Sequence, residues 1–247
     1  MPINAHLPRR PFRPLGEAAS LAVALGLTFG VTSTASAATT ECYAPVTAVS
    51  SPEKGARGDV SPNVLFSQVP LSARSVGYGA AGGRSDEITI ADGRLYLVRP
   101  DGAGGVRTRH AAADGEGAFM VQVISPAAWS RPARLRAITS LDELGERLDE
   151  AVAKAGCPTG ARLAFRIEGR AKAASWSLDT LPTPARLTTL AAPVVIVGLY
   201  TTIDGARHAM PGGRRFHAHI VVPATDAAGH LQTIDLQDGA KLWLQQP

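Results

Sequence analysis

The sequence predicts a β-rich α+β fold, with mixed and antiparallel sheets and few helices. The 247 residues include 25 Gly and 18 Pro, which favours many short elements joined by turns. Several apolar runs have the two-residue period of strands, whereas a single segment has the spacing of an amphipathic helix. With 45% hydrophobic and 19% charged residues, the composition is that of a globular protein and not of a disordered one.

The first predicted unit is a β-hairpin. Residues 87–90 (EITI) and 94–98 (RLYLV) have strand character, and Asp92-Gly93 between them is typical of a tight hairpin turn. Residues 101–105 (DGAGG) predict a second turn or loop. Residues 119–124 (FMVQVI) predict a further strand.

One helix is predicted after these strands. Ser140 is a suitable N-cap, and Glu143 completes a Ser-x-x-Glu capping box. Gly156 and Pro158 then predict the end of the helix. The apolar face that follows the cap at helical spacing consists of Leu141, Leu144, Leu148 and Val152.

The C-terminal part of the chain predicts four more strands, over residues 163–169, 194–200, 216–222 and 231–236. The intervening segment 171–190 contains two prolines, and we expect it to be turn-rich.

The first 37 residues are predicted to be a signal peptide. Three arginines precede an uncharged apolar stretch over residues 18–31, and Ala35-Ser36-Ala37 provides the small residues of a cleavage site before Ala38. The stretch is too short for a typical membrane span, although an uncleaved anchor is the alternative. We therefore expect an exported protein, periplasmic or extracellular, that is free of the membrane after cleavage. Arg9-Arg10 leaves open whether export follows the twin-arginine or the general secretory route.

The mature chain is predicted to consist of an extended arm over residues 38–62 and one domain over residues 63–247. Its two cysteines, Cys42 and Cys157, could form a disulfide in an oxidising compartment, or they could be buried free thiols. Sequence spacing does not decide between these alternatives, because a disulfide depends on geometry.

The charge balance of the mature chain argues against a nucleic-acid partner. Without the basic residues Arg9, Arg10 and Arg13 and the acidic residue Glu17, 22 basic and 20 acidic residues remain, a net charge of +2. No basic stripe accompanies this small excess. We therefore expect a small molecule as the partner, and the sequence leaves open whether the protein forms a homodimer.

The candidate chemistry lies in three histidines near the C-terminus. His217 and His219 are two residues apart in a predicted strand, so their side chains share one face. If residues 223–228 form a turn and Val222 pairs with Gly229, His230 lies opposite Val221 on the same face. Three imidazoles with open positions are typical of a catalytic zinc site. The alternative is that the His-x-His motif faces solvent, as His110 and His208 are expected to do.

These residues also carry a family resemblance. Residues 216–219 (FHAH) and 229–230 (GH) resemble the "His-Leu-His-Phe … Gly-Gly-His" zinc signature of the acetolactate decarboxylases. The resemblance extends in order over about residues 63–236, and it implies the fold of that family. The further matching segments are 86–88, 92–96, 101–102, 140–144, 165–169 and 197–200.

What the resemblance implies is decarboxylation of 2-acetolactate to acetoin and CO2, with one zinc ion per chain bound by His217, His219 and His230. The zinc would act as a Lewis acid on the hydroxyl and keto oxygens of a 2-hydroxy-3-keto acid. Glu87 is at the position of an active-site glutamate of the family and would move protons or bind metal-bound groups. The alternative for Glu87 is a solvent-facing strand carboxylate.

The sequence departs from the family pattern at three places. Ser177 falls at the position of an active-site arginine, and Ala80 falls at that of a threonine. The 17 residues after His230 do not match the C-terminal segment that returns a glutamate to the family's site. Loss of an arginine that offsets negative charge can lower the rate by orders of magnitude. Arg166 or Arg170 could substitute for it, but the strand parity is not known from the sequence and favours neither. Two alternatives to the decarboxylase therefore remain: a non-catalytic exported zinc-binding protein, and a metal-dependent lyase for another 2-hydroxy-3-keto acid.

Overall fold

The structure is a computed structural model that describes residues 42–157, 160–203 and 213–246. Within these ranges no helix is long and apolar enough to cross a membrane. Several sequence-based predictions concern residues outside the described ranges: the signal peptide 1–37, Ala38, Pro158 and His208.

The described residues form fourteen strands and two α-helices, which confirms the predicted β-rich α+β class. The helices are α1 (Pro52–Ala56) and α2 (Leu141–Lys154). The first seven strands are β1 (Thr47–Val49), β2 (Val64–Leu65), β3 (Val76–Ala81), β4 (Glu87–Ala91), β5 (Arg94–Pro100), β6 (Val106–Arg109) and β7 (Gly117–Ile124). The other seven are β8 (Ala128–Trp129), β9 (Ala133–Arg134), β10 (Arg162–Leu178), β11 (Ala185–Thr201), β12 (Phe216–Val222), β13 (Ala227–Leu236) and β14 (Lys241–Gln246).

The strands form two sheets. In the first sheet the order is β1-β7-β3-β4-β5-β6, with β2 also paired to β7. In the second the order is β11-β12-β13-β10-β14-β8, with β9 paired to β14. Strand β11 also pairs with β10, so the pairings of β10 to β13 close on themselves. Every pairing between these strands is antiparallel, and an isolated bridge between Tyr43 and Arg162 is parallel.

The predicted hairpin over residues 87–98 is confirmed as β4 and β5. Asp92 and Gly93 both have positive φ angles, 51° and 73°, as a two-residue hairpin turn of this kind requires. A Cβ atom at position 93 would also lie 2.2 Å from the carbonyl oxygen of Ser72. Both the positive φ and this close approach therefore require glycine at position 93.

Helix α2 begins at the predicted N-cap. The Ser140 hydroxyl accepts a hydrogen bond from the backbone N–H of Glu143 at 3.0 Å. The Glu143 carboxylate accepts from the N–H of Thr139 at 2.9 Å, one residue before the position that a capping box would use. The buried face of the helix consists of Leu144, Leu148 and Val152.

A disulfide joins Cys42 to Cys157, just beyond the end of α2, with the two Cα atoms 5.4 Å apart. This settles the alternative between a disulfide and free thiols in favour of the disulfide. The segment predicted as an arm contains β1, which pairs with β7, and the short helix α1.

The prediction that residues 171–190 are turn-rich is wrong. Strand β10 continues to Leu178 and β11 begins at Ala185, so the two form one long hairpin with a loop over residues 179–184. The two prolines lie inside that loop, where no ladder hydrogen bond is lost. Residues 171–177 pair with β11 on one side and with β13 on the other, so these tertiary pairings outweigh the weak local signal of their small side chains.

The main core lies between the two sheets and under α2. It combines inward-facing residues of the first sheet, such as Val76 and Val98, with residues of the second sheet, such as Phe165 and Ile220. A smaller cluster that includes Ile88 and Ile90 covers the opposite face of the first sheet. Because successive strand residues alternate between faces, Glu87 and Thr89 of β4 point away from this smaller cluster and toward the second sheet.

Candidate active site

The structure brings His217, His219 and His230 together on one face of the second sheet. Strand β12 supplies His217 and His219, and β13 supplies His230. The ring centroids are 5.3 Å apart for His217 and His219, 4.5 Å for His217 and His230, and 5.6 Å for His219 and His230. The shared face was predicted from strand spacing.

The predicted register of this hairpin is wrong by two residues. His230 pairs directly with His219 rather than with Val221, and Val222 pairs with Ala227. The chain reverses within residues 223–226, where Asp226 has a left-handed φ of 51°, so the loop is shorter than expected. A shift by an even number of residues keeps His230 on the same face, which is why the histidines still meet.

The histidines line a cavity of about 450 Å³ between the two sheets. Its polar part is formed by the three histidines together with Glu87, Arg84 and Asp179, and its apolar part includes Val60, Phe119 and Met120. A concave site with an apolar wall and a few convergent polar groups is typical of small-molecule pockets.

Strand β4 of the first sheet positions two side chains against His219. The Thr89 hydroxyl lies 2.7 Å from Nδ1 of His219, and Oε1 of Glu87 lies 3.7 Å from Nε2. Because the hydroxyl engages Nδ1, Nε2 is the nitrogen that faces Glu87. Glu87 is thus buried beside the histidines and does not face solvent.

Tyr78 of β3 orients His217 by stacking. The two ring centroids are 3.8 Å apart, and the ring planes differ by 20°. The Tyr78 hydroxyl donates to Oε1 of Gln122 at 3.0 Å. Burial raises the pKa of Tyr78, so the phenol remains neutral.

Burial governs the charges of the titratable groups in the cavity. It raises the pKa of Glu87 to about 8, although the backbone N–H of Asp179, which donates to Oε2 at 3.0 Å, acts in the opposite direction. Burial also lowers the pKa of His219, and the neighbouring His217 and His230 lower it further. His219 is therefore a neutral imidazole, the form that binds metal ions.

Two charged residues of the cavity were missed by the sequence analysis. Arg84 lies in the turn before β4, and its guanidinium donates to the backbone carbonyl of Asp179. Asp179 follows β10, and its Oδ2 lies 3.6 Å from Nδ1 of His230. The nearby His230 is the main cause that holds the pKa of Asp179 below its usual value, and the Arg84 guanidinium acts in the same direction.

The sequence contained one signal for Arg84, which is its position three residues before Glu87. The arginines considered as substitutes lie elsewhere. Arg166 pairs with Asp92 and Glu168, and Arg170 donates to a backbone carbonyl, while neither lines the cavity.

Two of the three departures from the family pattern also lie at this site. Ser177 is buried and pairs directly with His230 across β10 and β13, and its hydroxyl accepts from Gln232 Nε2 at 3.0 Å. Ala80 pairs with Glu87 across β3 and β4 and lines the cavity. His110, in contrast, lies away from this cavity and contacts Asp226 and the carbonyl of Leu95.

The residue types gathered at this site are ones that zinc prefers as ligands. Three imidazoles lie within one cavity, and His219 and His230 each have one nitrogen beside a carboxylate oxygen, from Glu87 and Asp179 respectively. Zinc binds imidazole and carboxylate donors in catalytic sites. Within residues 42–157, 160–203 and 213–246, no group of three or more His, Cys, Asp or Glu side chains is arranged so that it could hold a metal ion, so metal binding here would require these side chains to reorient.

Comparison with solved structures supports the fold described above, whereas comparison of the sequence finds no match. No protein-family model matches the chain, and no curated protein sequence matches it. The α-acetolactate decarboxylase of Bacillus subtilis strain 168 is similar in structure, with a TM-score of 0.63 and 16% identity over 82% of this chain and 85% of that chain. The acetolactate decarboxylase of Bacillus subtilis subspecies spizizenii gives a TM-score of 0.61 and 18% identity over 82% and 86%.

A Staphylococcus aureus protein of unknown function, described as similar to α-acetolactate decarboxylase, gives a TM-score of 0.53 and 16% identity over 70% of this chain and 73% of that chain. Identities this low are informative about architecture rather than about chemistry. The two sheets, with their histidine-lined cavity, have the fold of the acetolactate decarboxylases.

Proposed function

We propose that the protein is a zinc-dependent carboxy-lyase that converts 2-acetolactate into acetoin and CO2. The observation that carries the proposal is the meeting of His217, His219 and His230 with Glu87 and Arg84 around one cavity. His217, His219 and His230 would hold one zinc ion per chain. When bound, zinc supplies a Lewis acid that polarises the oxygens of the substrate.

Arg84 is the cation that the decarboxylase hypothesis requires near the histidines. Its guanidinium would bind and orient the carboxylate of acetolactate, as Arg does wherever a planar carboxylate is recognised. The C–C bond to the carboxylate then breaks, CO2 leaves, and the electron pair remains on the former C2 of the substrate. Charged groups and dipoles that are already in position when the reaction begins usually make the largest contribution to lowering the barrier of such a step.

Glu87 is placed to deliver the proton that completes the reaction. Its carboxyl group lies beside His219 in the buried part of the cavity, so a proton from Glu87 could reach the carbon that CO2 has left. Such positioned proton transfer typically contributes about 10²–10⁴-fold to the rate. The apolar wall of Phe119 and Met120 would exclude water from this step.

The alternative function is a non-catalytic exported zinc-binding protein of the same fold. Ser177 and Ala80 favour it, because both replace polar or charged groups of the family site. A third candidate is a related lyase for another 2-hydroxy-3-keto acid. These hypotheses are separated by incubating zinc-loaded mature protein with racemic acetolactate and measuring acetoin. Formation above the spontaneous background supports the decarboxylase, whereas zinc binding without acetoin supports one of the alternatives.

Export of the protein is also proposed, from the basic, apolar and small-residue succession of residues 1–37. N-terminal sequencing of secreted material should give a start at Ala38. Recovery from the cytoplasm alone, or a start far from Ala38, would refute cleavage at this site.

A further inference from the structure

Among the described residues that line the cavity, Asp179 is the one carboxylate that none of the preceding roles uses. Its backbone is fixed on both sides, because its N–H donates to Oε2 of Glu87 and its carbonyl accepts from Arg84. The residue is thereby held at the mouth of the cavity while its side chain remains half exposed. The loop that carries Asp179 is anchored again by the N–H of Leu181, which donates to the carbonyl of Arg84 at 2.9 Å.

The distance from Asp179 to His230 is informative about its role. Oδ2 of Asp179 lies 3.6 Å from Nδ1 of His230, which is too long for a hydrogen bond between N–H and O. Two ligand atoms that each lie about 2.0–2.1 Å from a tetrahedral zinc ion are roughly 3.4 Å apart. The observed separation is therefore close to that of neighbouring ligands around one ion.

Asp179 is better suited to this position than Glu87. The Glu87 carboxyl is buried and already accepts a backbone hydrogen bond. The Asp179 carboxylate faces both the cavity and solvent, so it can turn toward an ion without losing a buried partner. Arg84, which is bound to the backbone of Asp179, keeps a cationic group on the same side of the cavity.

We propose that Asp179 is a fourth protein ligand of the metal ion held by His217, His219 and His230. The inference rests on the zinc site of the proposed function. A site with three histidines and one aspartate has no free tetrahedral position. Substrate would therefore either displace the half-exposed carboxylate or bind as the ion expands to five ligands, as catalytic zinc does.

The test measures metal binding rather than acetoin. Zinc affinity is measured by competition with a chromophoric chelator for the wild type, Asp179→Asn and Asp235→Asn. Asp235 is a matched control, because it pairs with Lys172 on the surface of the same sheet and does not line the cavity. We expect Asp179→Asn to weaken zinc binding by at least about 10–100-fold and Asp235→Asn to leave it unchanged.

A second variant tests the same inference through a new absorption band. The chain has two cysteines, and both are in the disulfide, so Asp179→Cys would introduce a single free thiol. With Co²⁺ in place of zinc, this variant should show an intense near-ultraviolet charge-transfer band from a thiolate ligand, and Asp235→Cys should show none. Circular dichroism confirms that each variant is folded.

The inference is overturned if folded Asp179→Asn binds zinc within twofold of the wild type, or if folded Asp179→Cys gives no charge-transfer band. The proposed function can fail separately, when zinc binding depends on Asp179 but no acetoin forms. Acetoin formation combined with Asp179-independent zinc binding would overturn the inference alone. A wild type that binds no zinc overturns both.

Discussion

The hydroxyl of Thr89 lies 2.7 Å from Nδ1 of His219, so a residue of the first sheet orients a histidine of the second. Outer partners of this kind fix the ring and the tautomer of metal-binding histidines. Thr89→Val keeps the shape of the side chain and removes the hydroxyl. We expect it to weaken zinc binding by about 10–100-fold, as measured by chelator competition.

Thr108→Val is the control for this variant, because the Thr108 hydroxyl is buried without a hydrogen-bond partner and lies outside the cavity. It should leave zinc affinity unchanged. Equal affinities for the two threonine variants would contradict an orienting role for Thr89.

The histidine assignment predicts loss of metal on removal of one ring. His219→Ala should bind less than stoichiometric zinc, because two imidazoles hold zinc far more weakly than three do. His110→Ala removes a histidine outside the cavity and should retain about one zinc per chain. Elemental analysis of both variants after gel filtration gives the answer, and unchanged zinc in His219→Ala would show that the site is elsewhere.

Arg84 predicts a loss of catalysis without a loss of metal. Arg84→Gln removes the cation that would bind the substrate carboxylate, so kcat/KM for acetolactate should fall by at least about 10²-fold. Arg84→Lys, which keeps the charge but not the two-pronged geometry, should retain part of the activity. Arg166→Gln is the control and should be close to wild type. A similar fall in Arg84→Gln and Arg166→Gln would argue against a specific role for Arg84.

Glu87 predicts two effects of replacement by glutamine. With zinc bound, Glu87→Gln should lower the rate of acetoin formation by about 10²–10⁴-fold while metal content is unchanged.

Without metal, the raised pKa of Glu87, about 8 against the ordinary 4.5, means that between these two pH values the folded state holds a proton that the unfolded state has lost. Below pH 4.5 this contribution to stability is complete, and it is lost as the pH rises toward 8.

Glu87→Gln resembles the protonated side chain at every pH. The free energy of unfolding of the metal-free wild type should therefore fall relative to the variant between pH 4.5 and 8, by at most about 1.4 kcal/mol per pH unit. Urea denaturation at several pH values measures the difference. A difference that stays constant over this window would show that the carboxyl group is not desolvated.

The disulfide predicts a sizeable effect on stability. Cys42 and Cys157 are 115 residues apart in the chain, and closing a loop of this length restricts the unfolded state strongly. The double variant Cys42→Ser/Cys157→Ser should lose about 2–5 kcal/mol in free energy of unfolding. Urea denaturation is measured for the oxidised wild type, the reduced wild type and the double variant. Equal midpoints for these three samples would mean that the disulfide does not contribute to stability.

The sequence predicted elements wherever local chemistry decided the outcome. The Asp92-Gly93 turn and the Ser140 cap are local signals, and both the hairpin and the helix were found where expected. Strand β3 was not predicted, because Gly77 and Gly79 weaken its local strand signal and its stability depends on pairing with β4 and β7. The full length of the β10–β11 hairpin was also not predicted, because its small side chains give a weak local strand signal and its stability depends on pairing with neighbouring strands.

The candidate site was predictable in the part that depends on strand periodicity. His217 and His219 share a face because they are two residues apart, and His230 joins them in any register of the same parity. Arg84 and Asp179 could not be predicted in this way, because they are 95 residues apart in sequence and meet only through the packing of two sheets. No pattern within either segment specifies that contact.

Because the cavity is divided between the two sheets, metal binding at the proposed site would also report on how the sheets pack against each other. The second sheet carries the three imidazoles, whereas the first sheet and the turn before β4 carry Glu87, Thr89, Tyr78 and Arg84. A core substitution that slides one sheet by a fraction of an ångström would leave every strand intact and give an unchanged circular dichroism spectrum. It would nevertheless increase the distance between the His219 ring and the Thr89 hydroxyl. Metal affinity would therefore change in response to a displacement that measurements of secondary structure do not detect.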